Sequence, residues 1–290
     1  MTQITAAMVK ELRERTGQGM MDCKKALEQS GGDIEKAIDN MRAAGAIKAA
    51  SKAGNIAAEG AIAVKVADDN KSATLIEVNS QTDFLALQED FKAFVENCLD
   101  VAVADPAMDT EALIAAQEPA REILVAKCGE NVNIRRLARV EGDVLGAYLH
   151  GNRIGAVVVL KDGDVELAKD VAMHVAASNP QFLDPTQVPE EAIAKEKEIF
   201  MALNEDKIKG KPDNIVEKMV GGRINKFLAD SSLVKQDFVK NPEVTIGKLV
   251  EQAGASIVSF VRFEVGEGID RGEEMDFAAE VAAQVSASKK

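Results

Sequence analysis

The chain has 290 residues, a formal net charge of -13, 46% hydrophobic residues, 4% aromatics and no Trp. That length allows a real core and more than one domain, and richness in Ala, Val and Ile with few aromatics points to helices packed on a small sheet. So acidic a balance argues against a molecule that grips a phosphate backbone as a whole, and no direct nucleic-acid partner is expected.

The opening Met1-Thr2-Gln3-Ile4 has no basic segment followed by an apolar one, and no run approaches a membrane span. A cytoplasmic protein without membrane contact is expected. Three short helices fill the first fifty residues. Thr5 caps the first, with Ile4 and Val9 as a hydrophobic staple and Met8, Val9 and Leu12 as its apolar face; Gly17 stops it. The second runs from about Met20 to Gln29 with Met20, Cys23, Ala26 and Leu27 inward, and Gly31-Gly32 breaks it. Asp33 caps the third, where Ile34, Ala37, Ile38 and Met41 follow the i, i+3, i+4, i+7 spacing of one face. Gly45 to Asn55 reads as a linker or a loose helix. Residues 1–55 carry nine Lys/Arg against seven Asp/Glu, so a slightly basic module precedes an acidic body. Its core is marginal, and it is expected to lean on a neighbour or a partner.

The body repeats itself. A shift of 82 residues lays Glu59-Gly60 on Glu141-Gly142, Asn70 on Asn152 and Leu85-Ala86 on Leu167-Ala168. Both copies spell hairpin then helix, with turns at Asp68-Asp69-Asn70 and His150-Gly151-Asn152 and helices from about Gln88 and Glu166. A helix, a Gly and a strand recur as Lys127-Cys128-Gly129 to Glu141 and Gln252-Ala253-Gly254 to Glu264. The expected fold is α+β: a three-helix module, then two related lobes, each a three-stranded antiparallel sheet with helices on one face. Between the first hairpin and its helix lies Asn79-Ser80-Gln81-Thr82-Asp83-Phe84, which puts Phe84 at a solvated strand-to-helix tip. Such an aromatic either folds back as a staple or is aimed at a partner.

Between Pro180 and about Asp230 the second lobe is interrupted by helices at Glu190–Leu203 and Asp213–Leu228, joined by Gly210-Lys211-Pro212. They read as an antiparallel hairpin, with Ile193, Ile199, Phe200 and Leu203 answered by Ile215, Met219, Val220, Ile224 and Phe227. One seam leaves outer apolar positions that either meet another chain or leave a weakly held arm. After Gly266-Glu267-Gly268, a short amphipathic helix is expected with Phe277, Val281 and Val285. The division follows as 1–55, 56–142, 143–180 with 229–266, the insertion 181–228, and 267–290.

Catalysis has no evident carrier. No phosphate-loop, dinucleotide or H-E-x-x-H motif is present, and Cys23, Cys98 and Cys128 have no metal-ligand spacing. They read as free thiols in a reducing compartment. His174 reads as a surface or semi-buried structural residue, while His150 stands at a hairpin tip where a contact is presented. Arg135, Arg136 and Arg139 read as an exposed strand face. With no nucleophile-and-base set, a non-enzyme without cofactor or metal is expected.

Several runs together resemble one family. Val9-Lys10-Glu11-Leu12-Arg13-Glu14-Arg15-Thr16-Gly17, Gly19-Met20-Met21-Asp22-Cys23-Lys24-Lys25-Ala26-Leu27, and Glu77-Val78-Asn79 through Phe84 are similar to the bacterial elongation factor Ts family. So are Gly129-Glu130-Asn131, His150-Gly151 with Arg153-Ile154-Gly155, and Arg262 through Gly268, in the family's order over essentially the whole chain. The resemblance implies a ubiquitin-associated (UBA)-like N-terminal module, a duplicated core, an inserted coiled-coil hairpin and a C-terminal helix. It also implies a nucleotide-exchange factor for the GTPase elongation factor Tu, with Asp83 and Phe84 as a wedge that disturbs the GTPase's Mg²⁺ and phosphate site. By the same resemblance Arg13, Met20, Met21 and Lys24 dock on the GTPase, and Cys128-Gly129 and His150-Gly151 face it. Leu85 stands where many members have Val, and Cys128 where a bulkier aliphatic is common. The alternative is a UBA-like protein- or RNA-binding adaptor using residues 1–55 alone, which would leave the Asp83-Phe84 tip without a purpose.

Overall fold

The computed structural model describes residues 4–271, and the expected helix with Phe277, Val281 and Val285 lies outside the described residues. The chain opens with α1 (Ala6–Thr16), α2 (Met20–Gln29) and α3 (Ile34–Lys52). Thr5 Oγ1 caps α1 by accepting from Met8 N–H, and Asp33 Oδ1 caps α3 by accepting from Lys36 N–H. Leu12, Cys23, Ala26, Leu27, Ala37 and Ile38 form a small core. Met20, expected inward, is instead exposed, because Cys23, Ala26 and Leu27 already supply the share of α2 in that core.

Next come β1 (Glu59–Val66), β2 (Ser72–Ser80), α4 (Asp83–Ala86), α5 (Glu89–Ala104), α6 (Thr110–Cys128) and β3 (Val132–Glu141). The strands form an antiparallel sheet in the order β1-β2-β3. The first-lobe core puts Ile76, Val78 and Ile134 of the sheet against Phe91, Phe94, Val95, Cys98 and Leu99 of α5, and Leu113, Leu124 and Val125 of α6. The N-terminal helices rest on α6. Gly45 lies buried with Ala126 at its side, the Lys48 ammonium donates to Ala126 O, and Gln18 Nε2 donates to Ile123 O at 3.3 Å. This contact explains why α3 runs on to Lys52: its second half has a surface to bury, where a linker would have none.

The second lobe repeats the pattern with β4 (Val144–His150), β5 (Ile154–Lys161) and α7 (Val165–Ser178). Then come α8 (Glu190–Leu203), α9 (Glu205–Ile208), α10 (Asp213–Ser231), β6 (Asp237–Phe238), β7 (Asn241–Thr245), α11 (Ile246–Gln252) and β8 (Ser256–Glu264). Its sheet runs β4-β5-β8, all antiparallel. His174, expected as a surface or semi-buried structural residue, is fully buried on α7. Its Nδ1 accepts from Val239 N–H at 3.2 Å, so Nε2 carries the proton and donates to Gln236 Oε1 at 2.9 Å. Burial pushes its pKa down despite the Gln236 bond, and it sits as a neutral core residue. In the inserted pair no residue of α8 is buried, and Ser231 is the one buried residue of α10. Ile199, Leu203 and Ile215 do not enter the seam as expected: all three are exposed, Leu203 to 79%, since two helices alone have no second layer to cover them. Among the described residues, no helix is long and apolar enough to cross a membrane.

The two sheets pack face to face, giving a helix–sheet–sheet–helix stack. Ile62, Ala73, Leu75, Val140, Leu145, Val157, Val159, Phe263 and Val265 fill the layer between them. This is why the central strands β2 and β5 are buried along nearly their whole length, and why β5 reads as a nearly unbroken apolar run: both of their faces are covered. The turns interlock across the repeat. Asn70 (φ 54°) offers its carbonyl to Leu145 N–H at 3.0 Å, and its counterpart Asn152 (φ 61°) offers its own to Ile62 N–H at 2.8 Å. Each hairpin turn thereby completes a backbone hydrogen bond of the other lobe.

One buried charge closes this interface. Glu77 on β2 is 0% exposed and accepts from Arg135 Nη1 (3.0 Å), Arg136 Nε (2.5 Å), Asn79 Nδ2 (3.0 Å) and Gly266 N–H (2.8 Å). Arg136 also stacks over Phe263, its Cζ 4.0 Å from the ring centroid, and donates to Glu264 O; Arg135 donates to Glu267 O. Gly266 takes φ 74°, and a Cβ there would meet Ala58 O at 2.1 Å. Glycine is required. The expected exposed arginine face is therefore an inter-lobe clamp, with Arg139 turned instead to Ala102 O and Asp105 O at the end of α5. Neither charge pattern nor periodicity reveals a partner arriving from another part of the chain.

Burial pushes the Glu77 carboxyl up, but the Gly266 N–H, Asn79, Arg136 and Arg135 outweigh it, and its pKa lies below the ordinary value. Its stabilisation is complete above the unfolded pKa of about 4.3 and is lost as pH falls through the folded value. Glu77→Gln is expected to lower the unfolding free energy at pH 7 by about 3 kcal/mol. In denaturant melts the gap to the unmodified chain should narrow below about pH 4. A gap of constant size down to pH 3 would show that the clamp does not depend on the charge.

Candidate functional site

The strand-to-helix tip is built by local capping. Ser80 Oγ donates to Thr82 O at 2.8 Å, and Thr82 Oγ1 accepts from Leu85 N–H at 3.2 Å, which makes Thr82 the N-cap of α4. Leu85 points down and is fully buried with Phe91 in the first-lobe core. With that anchor set, Phe84 points out and is 76% exposed, and Leu87, three residues on and so on the same side of the turn, is 68% exposed. Phe84 is not a staple. The second lobe shows the same turn without an exposed aromatic: α7 is continuous from Val165, the counterpart of Asp83, whereas the first lobe breaks between α4 and α5. Leu87 was not singled out by sequence; its i, i+3 spacing from Phe84 was the available signal.

The tip is held from α6. Gly129 ends that helix in the left-handed region (φ 78°), its N–H returning to Val125 O at 2.8 Å. The reversed chain aims Glu130 at the tip, where one carboxylate oxygen accepts from Thr82 N–H at 3.0 Å and the other from Thr82 Oγ1 at 2.8 Å. The half-buried Cys128 Sγ accepts from Glu130 N–H at 3.5 Å. Burial pushes its thiol pKa up, so it sits protonated as a packing group and not as a nucleophile. Asp83, Phe84, Cys128 and Gly129 are thus brought together, with Glu130 as the residue that joins them. Sequence reasoning had no role for Glu130, because its partner is 48 positions away.

The other expected site residues occupy two further surfaces. Met20 and Met21 are 60% and 75% exposed at the start of α2; Lys24 follows one turn on, 3.8 Å from Glu28, and Arg13 is exposed on α1. Two bare methionines on a small module offer an adaptable apolar contact. His150 and Gly151 form the exposed β4–β5 turn, where the imidazole stacks on Tyr148 (centroids 6.2 Å apart) with Nδ1 3.3 Å from the Tyr148 hydroxyl. The Asn152 bond to Ile62 fixes that turn on the first lobe. Among the described residues, no group of three or more His, Cys, Asp or Glu is placed to hold a metal ion. What the arrangement offers is rigidly held, exposed side chains, the chemistry of a binding surface.

The sequence profile of the family described as Elongation factor TS matches residues 81–267, a span that begins at the tip and ends just beyond the inter-lobe clamp. Elongation factor Ts of Azotobacter vinelandii is 74% identical over 289 residues, covering 100% of both chains. Proteins of the same name from Pseudomonas aeruginosa (strain LESB58) and Pseudomonas fluorescens (strain Pf0-1) are 73% and 71% identical over 289 residues, again covering 100% of both chains. The fold and tip are those of an α+β protein with an exposed binding surface. The chain belongs to the elongation factor Ts family.

Glu130→Ala should free the tip without unfolding the lobe. A hydrogen bond to a charged group is worth about 1.5–3 kcal/mol, so the Thr82 amide should exchange with solvent at least about ten-fold faster. Amides of α5 around Phe94 should be unchanged by hydrogen-exchange NMR. An unchanged Thr82 amide would show that Glu130 is not the clamp.

Proposed function

We propose that this chain is a guanine-nucleotide exchange factor that binds the GDP form of elongation factor Tu and promotes GDP release in translation elongation. The observation that carries the reading is Phe84, three-quarters exposed on a capped and clamped turn, in a chain of the elongation factor Ts family. A large aromatic held out of every core loses hydrophobic free energy unless a partner covers it. Asp83 and Phe84 act as the wedge that disturbs the GTPase's Mg²⁺ and phosphate site. Arg13, Met20, Met21 and Lys24 dock a UBA-like module, and Cys128-Gly129 and His150-Gly151 complete the contact. The division is 1–55 for docking, 56–142 and 143–180 with 229–266 for the two lobes, 181–228 for a coiled-coil arm through which the chain self-associates, and 267–290 for a C-terminal helical module.

The physics is linkage. A factor that binds the nucleotide-free GTPase more tightly than the nucleotide-bound form loosens the nucleotide by the same ratio. No bond is made or broken by the factor, so it is not an enzyme and needs no cofactor of its own; as a partner of the translating GTPase it works in the cytoplasm.

A hot-spot aromatic contributes roughly 2 kcal/mol or more on truncation. Phe84→Ala is therefore expected to lower stimulated release of labelled GDP by about ten- to a hundred-fold in stopped flow, with the melting midpoint nearly unchanged. A folded variant that exchanges at the unmodified rate would remove the wedge from this account.

The arm should be separable. Its two ends lie side by side, with Phe182 N–H on Ser231 O at 3.0 Å and Leu233 N–H on Phe182 O at 2.9 Å. Replacing residues 190–228 by a short Gly/Ser linker is expected to leave stimulated release within about three-fold, since loop length costs little where the ends are already close. Any self-association measured by sedimentation should weaken. A folded arm-less chain that no longer exchanges would assign the arm to the GTPase contact.

A further inference from the structure

We propose that Gln81, with Asn131 and Asn55, is a positioning device that ties the aim of Phe84 to the N-terminal helices; this rests on the exchange reading above. Gln81 Oε1 accepts two hydrogen bonds, from Asn131 N–H at 2.6 Å and from Asn55 Nδ2 at 3.2 Å. Asn131 is buried and sends its own Nδ2 to Asn55 O at 2.8 Å and Ala53 O at 3.4 Å. Ala53 and Asn55 follow directly on α3. The residue before the Thr82 cap and the residue after the Glu130 clamp are therefore both fastened to the end of the N-terminal helices. Glu130 sets the tip relative to α6, and Gln81 sets it relative to α3.

The second lobe serves as an internal control. At the 82-residue shift, Gln81 falls on Gly163, Thr82 on Asp164 and Phe84 on Glu166, and the left-handed Gly254 is followed by Ala255 where Gly129 is followed by Glu130. That turn is closed by its cap, with Leu167 N–H on Asp164 Oδ1 at 2.8 Å, and the equivalent positions carry no amide or carboxylate that could form the network. A strand-to-helix turn of this kind thus folds without it. Of the two lobes, the one with the network is the one whose turn displays an exposed aromatic. Docking of the N-terminal helices then fixes α3, and through Gln81 it fixes where Phe84 enters the partner. A wedge whose aim is set before contact loses less entropy on insertion.

Both bonds end on Oε1, so Gln81 works as an acceptor. A carboxylate at this position keeps both bonds, and a thioether of similar length loses both. The test uses full-length chains carrying Gln81→Met, Gln81→Glu or Asn55→Ala, each with and without Phe84→Ala. Release of labelled GDP from elongation factor Tu is titrated with each chain to give a maximal rate and a half-saturating concentration. Gln81→Met should lower the maximal rate about five- to ten-fold, as loss of two hydrogen bonds implies, while half-saturation moves by less than about two-fold. Gln81→Glu should stay within about two-fold of the unmodified chain, since its acceptor is retained. In the Phe84→Ala background Gln81→Met should cost nothing further, because no aromatic is left to aim. An unmodified maximal rate for Gln81→Met, losses that multiply with Phe84→Ala, or a Gln81→Glu chain as deficient as Gln81→Met would each overturn the inference. If Gln81→Met does not fold, Asn55→Ala at its exposed position carries the same comparison, and a full maximal rate there overturns it. An unmodified chain that does not speed release overturns the exchange reading instead; one that does, and needs Phe84 but not Gln81, overturns this inference alone.

Discussion

A carboxylate with no exposed surface holds the two halves of this molecule in register. Glu77 sits on the central strand of the first sheet and is satisfied by two arginines of the neighbouring strand, an asparagine, and the amide of Gly266 just past the last strand of the second sheet. A buried charge is costly unless its lone pairs are filled, and four donors fill them. The arrangement favours one docking of sheet on sheet, because sliding either sheet would take the Gly266 amide from the carboxylate and Glu264 O and the Phe263 ring from Arg136. The same strand leads into the turn capped by Thr82, five residues further on. Fixing Glu77 therefore fixes the base from which Phe84 projects.

Rigidity at the base contrasts with bareness at the tip. Leu85 is fully buried and Phe84 is three-quarters exposed, so adjacent residues divide the work of anchoring and presenting. The cap at Thr82 and the clamp from Glu130 consume the polar groups of the turn, so its backbone is held while its aromatic side chain remains available. A binding surface gains from this combination: a floppy aromatic would lose in ordering what it gains in contact. The inserted pair of helices is the opposite case, with hardly a buried residue and a cross-helix ion pair between Arg223 and Glu196 at 2.6 Å. Its apolar residues remain half open, as expected where two helices pack with no third layer.

The N-terminal helices are basic relative to the body and have a core of six buried residues, too small to stand alone comfortably. They borrow stability from α6 through Gly45, Lys48 and Gln18. That dependence is also what brings the end of α3 within reach of Asn131 and Gln81. A marginal module placed this way is informed about its neighbour's geometry, where a self-sufficient one on a free linker would not be.

What the sequence determined by itself is the local and periodic part of the structure. Caps at Thr5 and Asp33, the stop at Gly17, the apolar face of α5, the two hairpins with their left-handed Asn turns and the 82-residue repeat all follow from short-range sterics and spacing. So does the position of Phe84 at a tip. What only the tertiary structure decided are matters of who meets whom across long separations. Arg135 and Arg136 had the look of a solvated face until a buried Glu77 and the end of β8 arrived beside them; His174 had no sign of its enclosure by Gln236 and Val239, some 60 positions away. Met20 and Leu203 fit an apolar face by spacing yet remain bare, because periodicity marks which side of a helix is apolar and not whether anything lies against it. The packing of one sheet on the other had no local signal beyond the apolar run of β5, since a residue's burial on a second face depends on a surface supplied by a distant part of the chain.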